Sequence, residues 1–151
     1  MTFMSQHKLL EIIDDDRIKA VIAAAEKQTS GEIRVSVSRF FWGSVRHAAE
    51  KAFQRLGMQA TRDRNGILFF IVPSRHRFVV IGDRGIHQKV GQEFWDKLVA
   101  AMAGDFKAGK FNEGLVRSIE ECGPLLAVHF PYQGEKDVNE LSDDIDFGNK
   151  E

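Results

Sequence analysis

The chain has 151 residues, 43% hydrophobic and 28% charged, which is the balance of one globular domain able to bury about two-thirds of its unfolded surface. A single cysteine, Cys122, excludes an internal disulfide and a multi-cysteine zinc centre, and no stretch approaches the roughly 18 apolar residues of a membrane span. The net charge of -1 is unevenly placed: residues 135–151 hold seven acids and two bases, leaving the preceding residues at +4.

In chain order, Leu9, Leu10 and Ile13 suggest a short turn packed on the core. Asp14 or Asp15 caps a helix running to about Gln28, with Ile18, Val21, Ile22 and Ala25 on one face. Ser30-Gly31 ends it. Ile33, Val35 and Val37 alternate with Arg34, Ser36 and Ser38, the period of a strand. Phe40-Phe41-Trp42-Gly43 is an aromatic loop, and Ser44 caps a second helix marked by Val45, Ala48, Ala49, Ala52, Phe53 and Leu56.

Ile67 to Val72 is uninterrupted and apolar, as in a strand buried on both faces. A turn at Pro73-Ser74-Arg75-His76 leads to an antiparallel return strand from Phe78 to Ile81, broken by Gly82-Asp83-Arg84-Gly85. Helices near 91–106 and 111–129 complete the body. The strand–helix–strand unit requires a right-handed parallel crossover. The expected fold is therefore a three-layer α/β/α sandwich with a parallel strand pair and an antiparallel hairpin. Residues 1–133 form this body, and residues 134–151 an acidic tail lying against it. The N-terminal residues lack a charged stretch followed by an apolar run, so no signal peptide is expected and the cytoplasm is the expected location.

This topology brings the polar ends of three strands to one sheet edge, placing Glu32, Asp63, Asn65 and Asp83 together beside two glycine turns. Carboxylate, amide and carbonyl oxygens suit a hard cation such as calcium or magnesium. The same acids can instead pair with Arg34, Arg62, Arg64 and Arg84, and spacing alone favours those ion pairs.

Four motifs in order shift that balance: Thr29-Ser30-Gly31-Glu32-Ile33-Arg34-Val35, Arg64-Asn65-Gly66-Ile67-Leu68-Phe69-Phe70, Gly82-Asp83-Arg84-Gly85-Ile86, and the run from Phe106 through Gly109-Lys110-Phe111 to Gly114-Leu115. Together they resemble the TPM domain over nearly the whole chain. The likeness is greatest to stand-alone bacterial members, which end in Tyr-Gln and Asp-Val-Asn-Glu-Leu as residues 132–141 do here. The resemblance implies a Rossmann-like sandwich and divalent-cation binding, usually calcium, which turns the balance towards the edge of Glu32, Asp63, Asn65 and Asp83 as the cation site. It also implies a phosphatase activity attributed to some photosynthetic members.

The leading expectation is a cation-binding interaction or regulatory module, and the alternative a weak metal-dependent acid phosphatase. Against the latter, Cys122 lacks an arginine six residues on, where Val128 stands. Asp144-Ile145-Asp146 spells an aspartyl-phosphatase start but lies in the tail, and no glycine-rich phosphate loop is present. A metal-assisted phosphatase would use the carboxylate edge, with Arg64 or Arg84 holding phosphate. Phe40, Phe41 and Trp42 are candidates for a protein partner. The dispersed arginines give no nucleic-acid footprint.

Overall fold

The computed structural model describes residues 6–39, 43–134 and 141–148. Side-chain caps set where its first helices begin. The Asp14 carboxylate accepts from the Arg17 amide at 3.2 Å, opening α2 (Asp15–Glu26). The segment expected as a turn before it is a seven-residue helix, α1 (Gln6–Ile12). Its persistence has a long-range cause: Asn112 accepts from the Asp14 amide at 2.8 Å and donates to the Ile12 carbonyl at 3.0 Å, tying off the junction.

The sheet has three strands in the order β1 (Glu32–Val37), β2 (Gly66–Val72), β3 (Arg77–Gly82). β1 runs parallel to β2 with Glu32 opposite Gly66, and β3 returns antiparallel with Gly82 opposite Ile67. The crossover is α3 (Val45–Arg55), which Ser44 caps by accepting from the His47 amide at 3.1 Å. A 3₁₀ turn at Pro73–Arg75 joins β2 to β3. After β3 come α4 (Arg84–His87), α5 (Gln92–Lys107) and α6 (Phe111–His129). Where the sequence suggested only a break, Asp83 begins a helical turn by accepting from the Arg84 amide at 2.8 Å.

Strand alternation sorts the core into two layers. Ile33, Val35, Val37, Ile67, Phe69, Ile71, Phe78 and Val80 join the apolar faces of α2, α5 and α6 in one cluster. Leu68, Phe70, Val72, Val79 and Ile81 face α3 on the other side. β2 is buried at every position because both its faces are covered, which explains its uninterrupted apolar run. This is the expected α/β/α arrangement, small and mixed.

Residues 141–148 lie back on the body along the outer edge of β1. The Asp146 amide donates to the Val35 carbonyl (3.0 Å), and the Asp146 carbonyl accepts from the Val37 amide (2.7 Å), a parallel bridge centred on Ser36. Ile145 and Phe147 join the larger core cluster, while the Asp146 carboxylate accepts from Ser36 and from both terminal nitrogens of Arg55. Asp144 meets Lys19 at 3.0 Å. Asp144 and Asp146 thus meet bases of the body, and Ile145 and Phe147 turn inward between and beyond them as in a strand. Phe40, Phe41 and Trp42 lie outside the described residues. Among the described residues no helix is long and apolar enough to cross a membrane.

Candidate functional site

The turn from α2 into β1 is fastened to the far end of the chain. The Thr29 hydroxyl donates to the Phe130 carbonyl and accepts from the Gly31 amide at 3.0 Å, while the Ser30 amide donates to the same Phe130 carbonyl at 2.9 Å. This clamp fixes where β1 begins. Glu32 follows at once, only 4% exposed, and its Oε1 accepts from the Leu141 amide at 2.7 Å. A predicted ligand is thereby also an anchor for the C-terminal segment.

The loop before β2 is held equally tightly. Thr61 accepts from the Asn65 amide through its hydroxyl (3.2 Å) and from the Arg64 amide through its carbonyl (3.3 Å). Arg64 takes a left-handed conformation (φ 51°). Asn65 is 1% exposed; its Nδ2 donates to the Ser30 carbonyl at 3.3 Å and its own carbonyl accepts from the Glu32 amide at 3.3 Å. Asn65 Oδ1 is buried and has no hydrogen-bond partner among the described residues.

The third motif closes on that loop. The Asp83 amide donates to the Gly66 carbonyl and the Gly85 amide to the Arg64 carbonyl, each at 2.9 Å. A Cβ on Gly85 would stand 2.2 Å from the Asp63 carbonyl and 2.6 Å from that of Arg64, so this approach requires glycine. Gly82 is required for a different contact, the Trp95 ring, which would lie 2.4 Å from an added Cβ.

The three motifs therefore meet at one edge, but the four expected ligands end differently. Asp83, 5% exposed, is gripped from both sides by Arg64, whose Nε reaches Oδ2 at 2.6 Å and whose terminal nitrogen reaches Oδ1 at 2.9 Å. The hydrogen bond to Asp83 raises the Arg64 pKa further above its ordinary value. Asp63 is exposed and lies 3.5 Å from Arg62. These two acids follow the ion-pair alternative. Glu32 and Asn65 lie buried at the strand starts. Among the described residues no three His, Cys, Asp or Glu side chains stand together as ligands for one metal ion.

One participant is absent from the sequence motifs. Glu26, in the last turn of α2, accepts from the Ile33 amide at 2.8 Å. Burial first, then a hydrogen bond to Asp143 and the charges of Asp143 and Glu32, push its carboxyl up to about 10. The available signal was its spacing: a glutamate four residues after Ile22 continues the buried stripe of α2, where an acid is out of place. Asp143 belongs to a segment whose pairing no periodicity marks.

The phosphatase motifs meet other ends. Cys122 is fully buried, and burial, then the Glu121 charge, pushes its thiol up to about 12. Asp144 and Asp146 are engaged by Lys19 and Arg55. Burial disfavours ionisation of Asp146, but hydrogen bonds from Arg55 and Ser36 outweigh it and hold its carboxyl below the usual range.

Fold and edge together define a small α/β/α domain whose strand starts converge on buried acids, an amide and an arginine clamp. The model of the TPM domain matches residues 4–124, and the chain belongs to that family. It is similar to the BA42 protein of the psychrophilic bacterium Bizionia argentinensis, whose solution structure it matches with a TM-score of 0.83 at 37% identity, covering 92% of this chain and 94% of that one. The N-terminal domain of cg2496 from Corynebacterium glutamicum shares the fold, with a TM-score of 0.57 at 12% identity over 98% of this chain and 83% of that one. No curated protein matches the chain.

Proposed function

We propose that this protein binds a divalent cation, calcium in preference to magnesium, at the start of β1, and serves in the cytoplasm as an interaction or regulatory module rather than as an enzyme. The observation that carries the reading is Asn65 Oδ1, a buried amide oxygen with no hydrogen-bond partner among the described residues, in the loop that pairs with Glu32. Leaving such an oxygen unpaired costs about 1–3 kcal/mol. A hard cation takes amide, carboxylate and carbonyl oxygens alike, so the residue types present fit it. Glu32 and Asn65 would hold the ion and exposed Asp63 could join them. Asp83 is available only when Arg64 releases it. The regulatory reading is supported by Glu32, which already receives the Leu141 amide, so an ion on that carboxylate acts on the anchor of the C-terminal segment.

Calorimetric titration of the full chain with calcium and then magnesium tests this. Binding that weakens at least tenfold in both Glu32→Gln and Asn65→Leu supports the assignment. Binding untouched by both changes places the ion elsewhere. No heat at millimolar ion, together with an Asn65→Leu variant as stable as the parent, makes Asn65 a packing residue and removes the proposal. Metal-dependent hydrolysis of a phosphate ester lost in Glu32→Gln would replace the binding reading with the phosphatase one.

A further inference from the structure

The two edges of the sheet are treated differently. β1 is covered by residues 144–147, whereas among the described residues no strand lies beyond β3. The direction of β3's backbone groups follows from the ladder. The Asp83 amide bonds to the Gly66 carbonyl directly opposite, and the Ile71 carbonyl turns the other way, to the Ser38 amide. Even-numbered residues of β2 therefore bond to β3 and odd-numbered ones to β1. By the alternation of antiparallel pairs, Arg77, Val79 and Ile81 bond inward, and Phe78 and Val80 direct their N–H and C=O groups away from the sheet.

This edge is the floor of a groove of about 620 Å³. The Arg46 end of α3 walls one side, and Val99, Gly104 and Lys107 of α5 the other. Half-buried Val79 and Val80 give the floor apolar surface on both of its faces. The charges are of one sign: Arg46, Arg77 and Lys107 line the groove and no carboxylate does. Arg46 holds Glu50 at 3.3 Å in a solvent-exposed pair one helical turn away, an interaction weak enough to exchange for another carboxylate. A free strand edge flanked by cations is a template for an added strand of opposite charge.

The molecule already displays that mode on its other edge. There an acidic stretch, Asp144-Ile145-Asp146-Phe147, pairs its backbone with β1, turns its apolar residues to the core and sets its carboxylates on Lys19 and Arg55. We propose that the β3 edge is a docking groove for an extended acidic peptide of a partner protein, alternating carboxylate and apolar residues, which adds as a fourth strand. Its backbone pairs with Phe78 and Val80, its acids lie on the α3 face with Arg77 and Arg46, and its apolar residues lie on the opposite face towards Val99 of α5. This surface is separate from the cation site and does not depend on it.

The test uses the full chain in chelator, so that failure of cation binding leaves it untouched. The probe is a fluorescent ten-residue peptide alternating Asp or Glu with Val or Ile. Fluorescence anisotropy should show saturable binding that weakens as salt rises, and at least tenfold loss in the Arg46→Glu/Arg77→Glu variant with its circular dichroism unchanged. A probe with proline at two central positions should lose at least tenfold as well, and the amides of Phe78 and Val80 should become protected from exchange. Equal binding of the proline probe would reduce the contact to unspecific charge attraction. Equal binding by the reversed-charge variant, or tighter binding of a single-stranded oligonucleotide than of the peptide, would overturn the proposal. So would a dimer in sedimentation that the proline probe leaves intact and the variant dissolves, because the occupant would then be a second copy.

Discussion

Replacing Glu26 with glutamine isolates the least expected electrostatic feature of the molecule. In the folded protein this carboxyl keeps its proton up to about 10, against an ordinary value of 4.5, because it is buried beside Asp143 and Glu32. Unfolding releases it to water, where it ionises near 4.5. Folding therefore takes up a proton between those limits, and stability falls as pH rises through that window. From 4.5 to 7 the penalty reaches about 3 kcal/mol, at about 1.4 kcal/mol per pH unit. Glu26→Gln removes the ionisation while keeping an oxygen for the Ile33 amide and an N–H for Asp143. At pH 7 the variant should be more stable by up to about 3 kcal/mol, and near pH 4.5 the two proteins should agree within about 1 kcal/mol. Urea denaturation in chelator at pH 4.5, 5.5, 7 and 8 measures both. A difference between parent and variant that stays constant across this range would refute the reasoning, since the Glu26 proton would then be bound equally in both states.

Gly85→Ala should cost about 2 kcal/mol or more, because its Cβ would meet backbone oxygens of Asp63 and Arg64 rather than a side chain that can swing away; thermal unfolding of the variant checks this. Ile145→Ala should lose about 2 kcal/mol and raise hydrogen exchange at Val37, whose amide bonds to Asp146, before it raises exchange in β2. Asp146→Asn should lose about 1–2 kcal/mol near neutrality. Because the native carboxyl titrates below its ordinary 3.8, that difference should be full above this value and disappear as pH falls through the folded pKa, as urea titration will show. Cys122 should stay unmodified by a thiol reagent at pH 8 until the protein is unfolded, and rapid native labelling would contradict its buried position.

The strands were legible because their periods differ: Ile33, Val35 and Val37 alternate with polar residues, whereas β2 is apolar throughout and buried throughout; in β1 the apolar set is buried as its period implies, but Glu32 and Ser36 are buried too, where the Leu141 amide and Asp146 meet them. Ser44 was legible as a cap from its chemistry alone, and of the two candidates Asp14 and Asp15 the structure uses Asp14. The convergence of the three motifs followed from topology, since a parallel pair plus a hairpin leaves the start of two strands beside the end of the third. What topology does not show is which acid an arginine will take. Arg64 reaches Asp83 because its left-handed backbone and the close approach of Gly85 bring the two loops together, and neither feature has a period. Glu26 escaped for a related reason: its place on α2 was visible, but its partner Asp143 is brought to it by a segment without regular structure.

The covering of β1 by residues 144–147 has a consequence for the order in which the protein assembles. Ser36 and Asp146 are 110 residues apart, so their contact closes a loop that holds everything from α3 to α6. Forming it before the sheet exists would set the closure entropy of that long loop against two backbone bonds, the Asp144 and Asp146 ion pairs and the burial of Ile145 and Phe147 on a surface not yet built. The closure becomes favourable only after β1, β2 and α3 have presented Val35, Ser36 and Arg55 at fixed positions. A segment that joins last can also be released without unpairing β1, β2 and β3, and hydrogen exchange should find it open before the sheet opens. Since its Leu141 amide rests on Glu32, each such opening also changes the company of the carboxylate at the start of the sheet.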